Sequence, residues 1–161
     1  MFKAGDKVVY PVHGVGIIEA VEKKEVLGQR LEFLSMTIVN SGMKVMVPVK
    51  NAEQVGLRPI ISKADVKKVL NVIENGETEK EDDWKLRYQN NIDKIKSGSI
   101  YEVSKVARDL YRRGREKELS IMERKLYENA YNLLVHEIAL AKNVEVEEAG
   151  NIVSDALSPN A

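Results

Sequence analysis

The sequence has no cysteine. That removes disulfides, thiolate metal sites and thiol nucleophiles together, and it fits a reducing compartment. Histidine is nearly as scarce: His13 lies in the turn Pro11-Val12-His13-Gly14, and His136 in a helical stretch beside Val135. Neither has a second ligand at the spacing of a zinc site, so no metal site is expected. No nucleophile or second carboxylate stands next to His13, which reads as a turn histidine bonded to backbone rather than a general base. No P-loop or dinucleotide fingerprint occurs, and the acidic runs at 77–83 and 145–148 lack the spacing of a calcium loop. An enzyme is therefore not expected, nor a cofactor or a small-molecule substrate. Long apolar runs are missing as well. The opening MFKAGDKVVYP does not read as a signal peptide and no stretch reads as a membrane span, so the expectation is a cytoplasmic protein with no membrane partner.

What is present is a globular composition, 43% hydrophobic and 31% charged over 161 residues. That length suits one medium domain or two small ones. The formal net charge is zero, but it is unevenly spread. Residues 1–60 carry a net of +2, residues 61–84 carry −3, residues 85–125 carry +6 and residues 126–161 carry −5. A basic block inside a neutral chain suggests either a solvated helix face or a local contact with a polyanion.

The two halves of the chain have different periods. Stretches 7–10, 15–26, 30–39 and 43–49 are rich in Val, Ile and Thr and partly alternate, with turn signals between them. A fifth short strand is expected around 55–58. Such strands on so short a segment predict a small Tudor/SH3-like antiparallel β-barrel over residues 1–60. From Ser62 the period becomes helical. Ser62 can cap a helix ending at Asn75-Gly76, and the polar stretch 76–83 reads as a linker or exposed turn. Residues 61–83 are thus expected to join the barrel to a compact all-α domain at 84–161. Its helices are predicted at 84–96, 100–113, about 121–142 and 146–157. Asp83 can cap the first, and Ser99/Glu102 and Ser120/Glu123 have the spacing of capping boxes for the next two. Met122, Leu126, Leu133, Leu134 and Ile138 are placed on the apolar face of the third.

The basic block begins immediately after Trp84, the sole tryptophan. On a helix starting there, Trp84, Tyr88, Ile92 and Ile95 share a face, so Trp84 can be the first core contact of that helix. Its position in the first turn supports a second reading. Lys85 and Arg87 flank it, and Arg108, Arg112, Arg113, Arg115, Arg124 and Lys125 follow on later helices. An exposed ring among cations suits unstacked or distorted nucleic acid, with cations on phosphates and the ring on or between bases.

Three motifs carry a resemblance. They are F-K-x-G-D-K-V-V-Y-P-x-H-G from Phe2 to Gly14, W-x-x-R-x-x-x-N-x-x-K-x-x-S-G from Trp84 to Gly98, and V-A-R-D-L-Y-R-R from Val106 to Arg113. In this order they resemble the CarD/CdnL family of bacterial transcription regulators. The resemblance implies a non-enzymatic protein whose barrel docks on the β subunit of RNA polymerase. Its helical domain would contact promoter DNA at the upstream edge of the transcription bubble. The family's tryptophan, matched by Trp84, would wedge into the minor groove and hinder bubble collapse. The implied DNA contacts are Trp84, Lys85, Arg87, Arg124 and Lys125. The implied polymerase contacts are Lys24, Lys44, Met46 and Pro48. Leu86 and Gln89 are neutral where some relatives are basic, and Met46 lies where some place an arginine.

Two other functions fit the residues: a nucleic-acid-binding protein that needs no polymerase, and a helical protein-interaction adaptor in which Trp84 is core. Nothing in the sequence demands a dimer, and a monomer is expected.

Overall fold

The computed structural model describes residues 2–159. The chain divides into two compact units, residues 1–60 and 61–161.

The first unit is one antiparallel sheet of five strands: β1 (Lys7–Tyr10), β2 (Gly14–Val26), β3 (Gln29–Ile38), β4 (Lys44–Pro48) and β5 (Arg58–Pro59). Their order across the sheet is β4-β3-β2-β1-β5. β2 is long enough to serve two neighbours. Its start pairs with β1, and the strand then pairs with β3 along most of its length, with a register break between Ile18 and Ala20. Such a break bends a strand and sharpens its twist. The alternation read from sequence has a physical result here. Leu34, Met36 and Ile38 of β3 are buried together with Val8, Ile18 and Val47, because successive side chains of a strand face opposite sides. The β2–β3 turn holds Leu27 and Gly28 at positive φ, as a tight hairpin requires.

The second unit is helical: α1 (Val66–Asn75), α2 (Trp84–Lys96), α3 (Ile100–Glu116), α4 (Ile121–Lys142) and α5 (Val146–Leu157). Val69, Ile73, Ile95, Val106, Leu110, Leu134 and Ile138 form its core. Residues 61–83 pack within this unit, where α1 lies against α3 and α5. Ser62 caps a short 3-10 turn at Lys63–Asp65 that leads into α1. The predicted caps of the later helices are in place. Asp83 accepts from Lys85 N and Leu86 N, Ser99 from Glu102 N, and Ser120 from Glu123 N. Only half of each expected capping box forms, however. The Glu102 carboxylate pairs with Lys105 at 3.2 Å, and Glu123 turns to arginines of other helices. An ionised donor holds a carboxylate more strongly than a backbone N–H does.

Gly76 ends α1 without adopting a left-handed conformation. A Cβ there would lie 2.0 Å from Arg108 Nη1 and 2.5 Å from Val72 O. Glycine is needed because the Arg108 guanidinium occupies that space.

Candidate functional site

The start of α2 is built to present an indole. Asp83 Oδ1 accepts from Lys85 N at 3.0 Å and from Leu86 N at 3.4 Å, which fixes where the helix begins. Trp84 is the first residue inside. Along its face, Ile95 is buried and Ile92 and Tyr88 are partly buried against the core, whereas Trp84 is 55% exposed. The buried stripe of this face therefore stops one turn short of Trp84. Lys85 Nζ lies 5.8 Å from the centre of the Trp84 ring, within reach of a cation–π contact.

Arg87 is placed differently from its flanking lysine. Its Nε donates to Glu123 Oε1 at 2.7 Å, and Nη2 lies 2.7 Å from the same oxygen. Nη1 donates to Glu81 O at 2.9 Å. The two side chains are 12% and 5% exposed. Arg113 reaches the other oxygen of Glu123 at 3.7 Å. The structure thus engages Arg87 inside the unit, where it ties the 81–83 segment, α2 and α4 together.

That tie brings the first turns of α2 and α4 to one end of the unit. Arg124 and Lys125 are exposed there, and Arg124 makes only a loose 3.7 Å pair with Glu118. Leu86, Ile121 and Met122 are exposed as well. Met122, expected on the buried face of α4, instead faces solvent in the first turn. Leu126 one turn later is the buried residue.

Other members of the basic block do not surround the ring. Arg108 is 3% exposed, with Nε on Asp109 at 2.7 Å and Nη1 on Val72 O at 3.1 Å. Arg112 donates to Gly76 O, Thr78 Oγ1 and Ile73 O. Ile73 O and Gly76 O are carbonyls at the C-terminal end of α1, which no helical N–H satisfies, and the helix dipole favours a cation there. Arg115 donates to the Tyr111 hydroxyl and to Ser158. Glu79 pairs with Lys94, and this hydrogen bond holds its carboxyl below the usual range. Asp109 Oδ2 accepts from Glu79 N. The acidic stretch 77–83 is therefore strapped to α2 and α3 by side chains that sequence periodicity does not reveal.

In the sheet unit, Lys44, Met46 and Pro48 alternate along β4, an edge strand, and oppose Thr37, Ser35 and Phe33. Val47 between them points into the core. Lys24 reaches across from β2, its Nζ 3.4 Å from Met46 Sδ. The fold brings all four to one sheet surface.

The histidines have local roles. The His13 ring lies 4.6 Å from the Tyr10 ring, and its backbone N bonds Tyr10 O. His136 Nδ1 lies 2.7 Å from Asn132 O. Among the described residues there is no cluster that could hold a metal ion, and no helix is long and apolar enough to cross a membrane.

Two family models match nearly the whole chain. Residues 2–61 match the CarD-like/TRCF RID domain, and residues 68–154 match CarD, C-terminal domain. The chain is 39% identical over 144 residues to the putative transcription factor YdeB of Bacillus subtilis, covering 89% of this chain and 94% of YdeB. Among solved structures, the N-terminal domain of Myxococcus xanthus CarD in solution matches at 41% identity. It covers 37% of this chain and 79% of that domain, with a TM-score of 0.32. CdnLNt from the same organism matches at 48% identity, covering 38% and 87%, with a TM-score of 0.34.

Proposed function

The chain belongs to the CarD family, and from that membership we propose that it is a non-enzymatic transcription regulator of the cytoplasm. In this reading it binds the β subunit of RNA polymerase and stabilises the open promoter complex. The polymerase contact is the surface formed by Lys24, Lys44, Met46 and Pro48. A free edge strand suits such a contact, because its unpaired backbone groups can bond a partner while alternate side chains select it. The promoter contact is the end of the helical unit where α2 and α4 begin. Trp84 packs at the upstream edge of the bubble, and Lys85, Arg124 and Lys125 hold backbone phosphates. Arg87 acts from inside: bonded to Glu123, it sets the pose of the helix turn that carries the ring.

The observation that carries this reading is the exposure of Trp84 in the first turn of a capped and ion-paired helix. A ring left in solvent gains by stacking. Base–aromatic contacts contribute roughly 1–3 kcal/mol each. That is too little to melt a duplex, but it shifts an existing open–closed balance about 5–150-fold. The few free cations imply weak, salt-sensitive binding to DNA alone. Docking on polymerase would supply the missing effective concentration.

The test is the half-life of open complexes on a ribosomal-type promoter, with no protein, wild type or Trp84→Ala. Wild type should lengthen it, and a folded Trp84→Ala that still binds polymerase should not. Equal half-lives in all three would remove the wedge and leave a polymerase-binding adaptor. Submicromolar binding to DNA without polymerase would favour the polymerase-independent reading.

A further inference from the structure

Beside the Trp84 turn, residues 78–82, α2 and the C-terminal half of α3 line a groove of about 640 Å³. That is the size of a small-molecule site. Asn91 of α2 lines it and is only 5% exposed. Its amide makes no hydrogen bond to another described residue. Every sealed side-chain N or O among the described residues has a partner, so the unpaired Asn91 amide opens onto the groove. Buried polar groups in folded proteins are nearly always matched. An amide that its fold shields on most sides yet leaves open toward a groove can act as a recognition group.

The charge of the groove gives the class of ligand. Its lining has seven cations and five carboxylates, so it is net positive. The balance stays positive, by two, when the partners outside the lining are counted, and among the described residues the carboxylates Glu81, Asp82 and Glu116 make no ion pair. Glu79 is held by Lys94, and Asp109 by Arg108. Arg112 bonds only neutral oxygens, and Arg113 shares Glu123 with Arg87. Lys80 and Lys117 have no carboxylate partner among the described residues. Phosphoryl oxygens suit such lysines and fork-shaped arginines.

We infer that this groove binds a small phosphorylated molecule of about nucleotide size, with its phosphoryl groups on Arg112, Arg113 and the free lysines and a hydrogen-bonding edge on Asn91. A duplex backbone is a poor occupant, because it meets outward-facing cations and cannot reach a side chain as buried as Asn91. The site is independent of whether Trp84 meets DNA. It lies close to that ring, however, since Arg87 also lines the groove and bonds Glu81 O.

The experiment is a titration of the isotope-labelled full chain, followed by amide resonances, with ADP and separately with a short DNA duplex. ADP should shift the Asn91 side-chain amide and the backbone of 78–82, with a Kd below ~1 mM. Asn91→Asp, nearly the same shape, places a carboxylate at the floor and should weaken ADP roughly tenfold or more. Lys117→Glu, an exposed change that leaves the fold intact, should weaken it severalfold. The proposal is overturned if ADP leaves these resonances unmoved, if only the duplex moves them, or if a folded Asn91→Asp and Lys117→Glu both bind ADP like wild type.

Discussion

The two units hold their positive charge in opposite ways. In the sheet unit, Lys24 and Lys44 stand on exposed strands, and the contact Lys24 makes is with a methionine sulfur. In the helical unit, Arg87, Arg108 and Arg112 are drawn inward onto carboxylates and backbone carbonyls. The backbone explains the contrast. A strand uses its carbonyls in the ladder to its neighbours, and those that an edge strand such as β4 leaves free point outward in the plane of the sheet, away from the side chains on its faces. A helix leaves its last carbonyls short of backbone donors, and α1 ends facing α3, where Arg112 donates to Ile73 O and Gly76 O and Arg108 adds a second donor to Val72 O. These lysines are surface groups on one scaffold, and these arginines are structural ties on the other. A count of Lys and Arg along the sequence overstates the cations available to a polyanion.

The change that should break this contrast most strongly is Glu123→Ala. It leaves Arg87 buried and unpaired, which typically costs about 3–5 kcal/mol. Chemical denaturation should show the loss in the helical unit, while amide resonances of the sheet core around Leu34 and Met36 stay in place. A small loss, below about 1 kcal/mol, would mean that Arg87 is not held as described.

Gly76→Ala should come next. The added methyl meets the buried Arg108 guanidinium and the Val72 carbonyl, and overpacking of this kind costs about 1–3 kcal/mol. Gly5→Ala is a useful contrast in the sheet unit. That site has open space but positive φ, so its cost would come from backbone strain alone.

A pH effect should also separate the units. Burial, reinforced by Tyr131 and Tyr111, pushes the Tyr127 hydroxyl up to about 12 from 10.0. An acid whose folded value is raised stabilises the fold fully below its unfolded value and loses that contribution as pH rises through the folded one. Wild type should therefore lose stability relative to Tyr127→Phe between about pH 10 and 12, in the helical unit only. Parallel alkaline melting curves for the two proteins would contradict this.

Trp84→Ala should have the smallest effect on folding. A buried tryptophan costs ~3–5 kcal/mol to remove. A ring this exposed should cost within about 0.5 kcal/mol, like other surface changes. Its fluorescence should be red-shifted and readily quenched. A large loss of stability on this substitution would return Trp84 to the core and undo the proposed wedge.

Most of the elements were legible in the amino-acid order because their causes are local. Alternation over Leu31 to Ile38 and the turn at Leu27-Gly28 predict the β2–β3 hairpin. Asp83, Ser99 and Ser120 predict where three helices start, since a cap acts on N–H groups two or three residues away. The roles of the arginines were not legible. Arg112 bonds atoms more than 30 residues earlier, and Arg108 bonds Val72 O as well as its neighbour Asp109; an adjacent aspartate does not by itself distinguish a buried arginine from a solvated one. Asn91 is similar: its place in the α2 motif is visible, but its burial is not.

By itself, then, the amino-acid order determined two units with different periods, their caps, and a tryptophan in the first turn of a helix. Those features follow from backbone geometry and short-range hydrogen bonds. Only the tertiary structure decided which cations remain free, that Arg87 faces Glu123, and that Trp84 stays in solvent while Ile95 is buried. Burial and charge pairing depend on which distant groups share the same space, and packing sets that.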